Sequence, residues 1–285
     1  MYHDTHVHLD LLLTQLGLLP DRSEIEAEPI AELSFDAKNT LNDLIKHHDF
    51  LVQSTVDNKN AWACYNLFSS FDRIKILLGA HPEIVDEAFD VPEFVDEQNN
   101  LIKKVIADFG SKVVGFGECG LDYYYTQNSV IISLQKDLFR TQIQQALKYN
   151  LPLIIHCRDA FTDLFDILDE FPAIFHHFLV HCFTGTQAEL NEVIKRGGIV
   201  GLGGICTFKN TVELQNTVAT MPANSFVLET DLPFLAPPPH RGKTCLPEYV
   251  NDIAIHIAGL RNTTTEEIWH HSAANAKTLF GLGIA

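Results

Sequence analysis

The chain has 285 residues, 46% of them apolar, and a formal charge of −17 from 37 acidic against 20 basic side chains. Phosphate backbones are ordinarily met by clustered Lys and Arg, so this balance argues against a broad nucleic-acid face. No apolar run approaches the roughly 20 residues of a membrane span, and the polar opening residues do not read as a secretory signal. The six cysteines are scattered without a CxxC pair, the pattern of free thiols in a reducing, cytoplasmic compartment.

In chain order, β-rich runs are expected at 2–7, 50–54, 74–78, 113–117, 153–156, 178–181, 199–202 and 226–229. Amphipathic stretches at 40–48, 59–71, 97–109, 133–149, 160–171, 187–196 and 212–220 separate them, and a helical pair at 247–260 and 265–280 closes the chain. Asn210 and Thr263 are expected as helix N-caps, and Gly197-Gly198 as a helix stop. Eight βα units in a row, with nearly continuous apolar strands, predict an α/β fold: a (β/α)8 TIM-type barrel in one domain spanning 1–285, with C-terminal helices. A doubly wound open sheet is the alternative that periodicity leaves open.

A barrel carries its chemistry at the C-terminal ends of its strands and in the loops just after them. The metal-binding residue types of this chain fall there. His6 and His8 end the first strand, where residues i and i+2 share a face and can present two imidazoles to one ion. His81 follows the third strand, Glu118 the fourth, and His156, His181 and Asp231 the fifth, sixth and eighth. Several histidines and two carboxylates exceed what one tetrahedral site takes, so two ions are expected. Glu118 could bridge them, and Asp231 could bind one ion and also orient or deprotonate a water. Cys119, Cys157 and Cys182 adjoin these positions but would face away in a strand, so packing is their expected role.

Taken together, the segments 4–10, 79–82, 117–124, 152–160, 180–184, 229–236, 241–243 and 275–280 resemble the TatD family of metal-dependent hydrolases, within the amidohydrolase-like superfamily. That resemblance implies a two-metal centre of Mg, Mn or Zn and phosphodiester hydrolysis on DNA, often as a 3′-end exonuclease. It implies that His6, His8, Glu118 and Asp231 hold one ion and Glu118, His156 and His181 the other. His81 would line the pocket and Arg158 would face the phosphate. Arg241 and Lys243 complete the expected substrate donors, for short single-stranded DNA or 3′ ends, with RNA as a further substrate. Where the family has a short polar segment after Arg-Gly-Lys, Cys245 and Leu246 stand instead.

Two other readings use the same residues. The ions could polarise a carbonyl, as in an amide or ester hydrolase such as a D-aminoacyl-tRNA deacylase, or the barrel could be an inactive binding module. The complete ligand set argues against the last. The acidic stretch 11–39, with Asp21, Glu24, Glu26, Glu28 and Glu32, reads as a solvated loop at the rim, with a lid or partner surface as the alternative. The pairs His47-His48, His176-His177 and His270-His271 read as surface residues. Phe161, Phe165, Phe175 and Phe178 read as core, and Tyr123, Tyr124 and Tyr125 as either packing or stacking residues.

Overall fold

The computed structural model describes residues 1–27, 30 and 32–282. Among these residues eight strands form one sheet: β1 (Tyr2–Val7), β2 (His48–Gln53), β3 (Ile74–Leu78), β4 (Val113–Asp122), β5 (Leu153–Arg158), β6 (Phe178–Val180), β7 (Ile199–Leu202) and β8 (Phe226–Leu228). Spatial order equals chain order, and every neighbouring pair is parallel. The sheet curls until its edges meet. Val7 bridges Leu232, Asp231 N donates to His6 O, and His8 N donates to Leu232 O. The result is the expected barrel, and the open sheet is excluded.

Among the described residues, eleven α-helices surround it: α1 (Leu9–Gln15), α2 (Arg22–Ala27), α3 (Phe35–Ile45), α4 (Asn58–Phe68), α5 (Val91–Phe109), α6 (Ser129–Tyr149), α7 (Phe161–Glu170), α8 (Gln187–Lys195), α9 (Val212–Thr220), α10 (Val250–Arg261) and α11 (Thr265–Phe280). Alternate residues of β2, β3, β5, β6, β7 and β8 enter different apolar clusters, as a period of two requires. Phe50, Val52, Leu77, Val114, Ile154, Leu179 and Val227 fill the barrel, with Ala276, Leu279 and Phe280 of α11 packed against them. Leu51, Ile76, Leu153, Ile155, Val180 and Leu228 face the helices instead. None of the described helices is long and apolar enough to cross a membrane.

Several expectations are corrected. The stretch 11–39 is not a solvated loop: its described residues hold most of α1, all of α2 and the start of α3, and bury Leu12, Leu13, Leu19, Ile25 and Leu33. Glu28 lies outside the described residues. His48 is not a surface residue. The helix before it stops at Ile45, so His48 opens β2 fully buried, its Nε2 3.2 Å from Pro247 O. Burial pushes its imidazole down to about 4. The cap of α11 is Thr264, one residue later than expected, because Thr264 and Glu267 form a reciprocal capping box. Asn210 does not cap α9; Thr211 occupies that position, and its hydroxyl donates to Ile205 O and Phe208 O. Phe178 is buried and Phe161, Phe165 and Phe175 pack against the core as expected.

One buried contact ties the last helix to the barrel seam. Ser272 Oγ accepts from Leu228 N at 2.7 Å and lies 2.7 Å from His3 Nε2. His3 is almost wholly enclosed and its pKa is lowered to about 3, chiefly by burial, so the ring is neutral. Ser272→Ala strips both groups of their partner. It should lower stability by about 1–3 kcal/mol, the cost of buried unsatisfied polar groups, read as an earlier urea midpoint at unchanged slope.

Candidate metal centre

The polar rim continues the rows of the apolar interior. Ile154 points into the barrel and His156 follows it by two; Leu179 precedes His181 by two, and Val227 precedes Glu229 and Asp231 by two and four. The same strand period that buries the core thus carries on through His156, His181 and Glu229, and Asp231 follows from the left-handed turn after β8. β4 runs on past β3 to Asp122, which pairs with Arg158 at the end of β5. Gly120 permits this: its φ of +140° suits glycine, and a Cβ there would strike the His156 carbonyl.

Five of the seven expected rim residues, all histidines, converge on the carboxylate of a sixth, Glu118, and Asp231 joins the cluster through His6 and His8. Glu118 Oε2 lies 3.1 Å from His6 Nε2 and 3.9 Å from His8 Nε2, and accepts from Ser54 Oγ at 3.2 Å. Its other oxygen, Oε1, lies 2.6 Å from His181 Nε2, 3.0 Å from His156 Nδ1 and 3.5 Å from His81 Nε2. Asp231 Oδ1 stands 3.5 Å from His8 Nε2 and 3.8 Å from His6 Nε2. Three overlapping groups are compact enough to share a cation: His6, His8 and Glu118; His81, Glu118 and His156; and His6, His181 and Asp231. His81 therefore sits among potential ligands rather than only lining the pocket. No Cys, and none of the adjacent histidine pairs, belongs to any such group among the described residues.

Residues not singled out from the sequence hold this cluster in place. Asp122 Oδ2 is 2.8 Å from His156 Nε2, which leaves Nδ1 facing Glu118. Glu229, fully buried, accepts from Cys182 N and approaches His181 Nδ1 at 3.7 Å. Asp4 accepts from the Thr230 hydroxyl at 2.6 Å and from the Thr230 and His6 amides, which locks β1 to the β8 loop. Gln53 accepts from Leu9 N, and its amide donates to Asp10, which is also held by Arg22 and Asn60. Each of these carboxylates lies within a motif segment, but no local pattern separates a supporting carboxylate from a ligating one.

The electrostatics are those of a site arranged for cations. Burial alone would protonate Glu118, yet His181, His6, His81 and His156 hold its carboxyl well below the usual range. Asp231 is likewise lowered against its burial by His8, His6 and His181. His156 rises to about 9: desolvation opposes its charge, but Asp122 and Glu118 outweigh it. His8 is raised against burial by Asp231, Glu118 and Asp10. Burial pushes the Glu229 carboxyl well above the usual carboxylate range. Among the described residues, the buried nitrogens His6 Nδ1, His8 Nδ1 and His181 Nδ1 have no hydrogen-bond partner, and His6 Nε2 meets Glu118 without hydrogen-bond geometry. Unpartnered imidazole nitrogen beside ionised carboxylate is a donor set that fits divalent metal.

The expected substrate donors are dispersed. Arg158 is half-buried, its guanidinium 3.6 Å over the Tyr124 ring. Arg241 and Lys243 are exposed in the turn after Pro239, and Arg241 lies 3.6 Å over Phe208. Tyr123 packs with its hydroxyl on Asp163, whereas Tyr124 and Tyr125 are exposed. Cys245 is buried and its amide donates to Pro233 O, so its backbone supports the Asp231 loop while its thiol packs inside.

A sequence profile of the family described as TatD related DNase matches residues 3–281. The chain belongs to that family. It is 34% identical over 285 residues to YabD of Bacillus subtilis, an uncharacterized metal-dependent hydrolase, covering 98% of this chain and 99% of that one. It is 35% identical over 179 residues to the 3′-5′ ssDNA/RNA exonuclease TatD of Erwinia amylovora, covering 60% of this chain and 67% of the other. In fold it matches YJJV, a TatD homolog from Escherichia coli, with a TM-score of 0.80 at 23% identity over 99% of this chain and 98% of that one. This TatD-family chain is a metal-dependent hydrolase.

The raised His156 has a measurable consequence for the metal-free protein. A histidine held at about 9 in the fold, against 6.5 when free, favours the folded state through its proton. That stabilisation is complete below pH 6.5 and is lost as pH rises through about 9; His8 shifts in the same direction. In chelator, the melting temperature should fall between pH 6.5 and 9.5, and His156→Gln should flatten that fall.

Proposed function

We propose that this hydrolase is a two-metal phosphodiesterase that removes nucleotides from single-stranded DNA ends, with RNA as a second substrate, and that residues 1–285 act as one catalytic domain. The observation that carries the reading is the division of Glu118: Oε2 faces His6 and His8 while Oε1 faces His81, His156 and His181. A carboxylate shared in this way suits a bridge between two ions. His6, His8, Glu118 and Asp231 would hold one, and Glu118, His156 and His181 the other, with His81 at its edge. Imidazole with carboxylate favours Mn or Zn over Mg. Such a pair supplies Lewis-acid polarisation of the phosphoryl group and a nucleophile at neutral pH. The family description and the exonuclease relative support nucleic acid as the substrate.

The chain's own residues then have distinct tasks. Asp231 is ionised, half-buried and held by the β8–β1 seam, so its Oδ1 can take the proton of an attacking water. Asp122 fixes the ring of His156 and Glu229 backs that of His181. Arg158 offers a planar cation to phosphate from its seat on Tyr124.

Single-stranded DNA with a labelled end, incubated with Mn, Zn or Mg, should be shortened from its 3′ end, and chelation should abolish the activity. Asp231→Asn should retain the fold and lower turnover by about 10²-fold or more; wild-type turnover at saturating metal would remove Asp231 from the chemistry. Substrate affinity should fall only gently with salt, with a slope on the order of two to three phosphate contacts. Anisotropy of a short strand across a salt series measures that slope, and a steep one would reveal a basic face.

A further inference from the structure

Among the described residues, few large apolar side chains are exposed at the catalytic rim: Tyr124, Tyr125 and Phe234. Tyr124 already carries the Arg158 guanidinium on its face and meets Tyr125 edge-on at 4.9 Å. Phe234 is different. It is 47% exposed, and its one aromatic neighbour among the described residues is the ring of His8, 6.2 Å away and steeply tilted at 68°. The contact uses His8, whose Nε2 faces Glu118 and Asp231. A broad hydrocarbon face thus stands open to solvent beside the most polar part of the molecule.

The loop that carries Phe234 is not loose. Leu232, Pro233, Ala236 and Pro237 are buried on either side of it. Asp231 and Leu235 adopt left-handed backbone angles, φ +59° and +56°, which are unfavourable for non-glycine residues. They are held there by Asp231 N on His6 O, Phe234 N on Asp231 O, Leu232 N on the Thr230 hydroxyl and Cys245 N on Pro233 O. The Leu235 carbonyl lies so close to Gly204 that a Cβ at that position would collide with it. A strained, heavily pinned turn with one aromatic ring directed outward is the construction of a binding contact rather than of a core.

We propose that Phe234 is a base-stacking subsite, on which an unpaired nucleobase next to the scissile phosphate lies flat. This rests on the phosphodiesterase reading above. The ring offers a π face without hydrogen-bonding groups, so it suits any base and reads no sequence. Bases within a duplex are already paired and stacked on both sides, so occupancy requires a frayed or single-stranded end. An acidic protein gains affinity in this way without adding basic side chains.

The test compares binding of a short fluorescent strand, made with phosphorothioate linkages to slow cleavage, with a series in which one abasic residue is walked along it. Metal-loaded wild type should lose about tenfold in affinity when the abasic residue occupies one particular position near the 3′ end. Phe234→Leu, which keeps apolar bulk but lacks the π face, should bind the intact strand at that weakened level and be indifferent to the abasic residue. Phe234→Tyr should restore discrimination, and both variants should melt with wild type. Equal wild-type affinity for intact and abasic strands, or full discrimination by Phe234→Leu, overturns the proposal. Cleavage of an ordinary strand is followed in parallel. Cleavage without abasic discrimination leaves the nuclease reading standing and removes the subsite. Discrimination in binding without cleavage does the reverse, and absence of both removes both.

Discussion

The structure depends on one buried charge. Glu118 lies at the centre of the barrel mouth, wholly enclosed and yet ionised. An isolated carboxylate in such a place costs several kcal/mol even after the protein relaxes. Five imidazoles and a serine hydroxyl offset that cost here, and they must come from β1, β2, β3, β5 and β6 at once. No local segment could provide them. The carboxylate therefore requires the closed barrel, and the barrel mouth takes its geometry from the carboxylate.

Closure also sets the position of the other acid. The seam between β8 and β1 is short: a bridge at Val7 and Leu232, two amide bonds across it, and the Asp4 clasp on Thr230. The amide bonds use the backbone of His6, His8 and Asp231, so joining the edges of the sheet and assembling the site are one event. Beyond the seam, left-handed non-glycine residues recur in the rim loops, at Asp159, Cys182, Asp231 and Leu235. Backbone of this kind costs on the order of 1–3 kcal/mol at each position and persists only where surrounding contacts over-determine it. The apolar interior beneath, from Phe50 to Val227 with α11 against it, is the part of the molecule free of such demands.

The charge of −17 acquires a local meaning in this setting. The described basic residues near the mouth are few, and two of them are already stacked: Arg158 on Tyr124 and Arg241 on Phe208. Stacking orders a long side chain and leaves its guanidinium edge available for a planar anion. A site built from a few oriented donors and cations can attract phosphate at close range while the rest of the surface repels it.

Much of this was legible in the amino-acid sequence, for physical reasons that can be named. Strand positions came from runs such as Ile74–Leu78, where β-rich apolar residues stand between turn signals. The rim followed because a parallel barrel has one functional end, so His6, His8, His81, Glu118, His156, His181 and Asp231 could be assigned to it before any contact was known. Other features depended on three-dimensional context. His48 resembled a surface histidine until β2 began two residues earlier than its apolar run and took it inside. The segment 11–39 looked like a loop because its acids dominate, but Leu12, Leu13 and Ile25 find a core only once the barrel exists. Asp122, Glu229 and Asp4 are ordinary carboxylates in sequence; which acid faces the mouth and which braces a neighbour is decided by packing across strands distant in the chain. The sequence by itself determined the period and order of the elements, because those depend on near neighbours. Tertiary structure decided the partner of each buried charge, because a low-dielectric interior makes that choice depend on every group within a few ångströms.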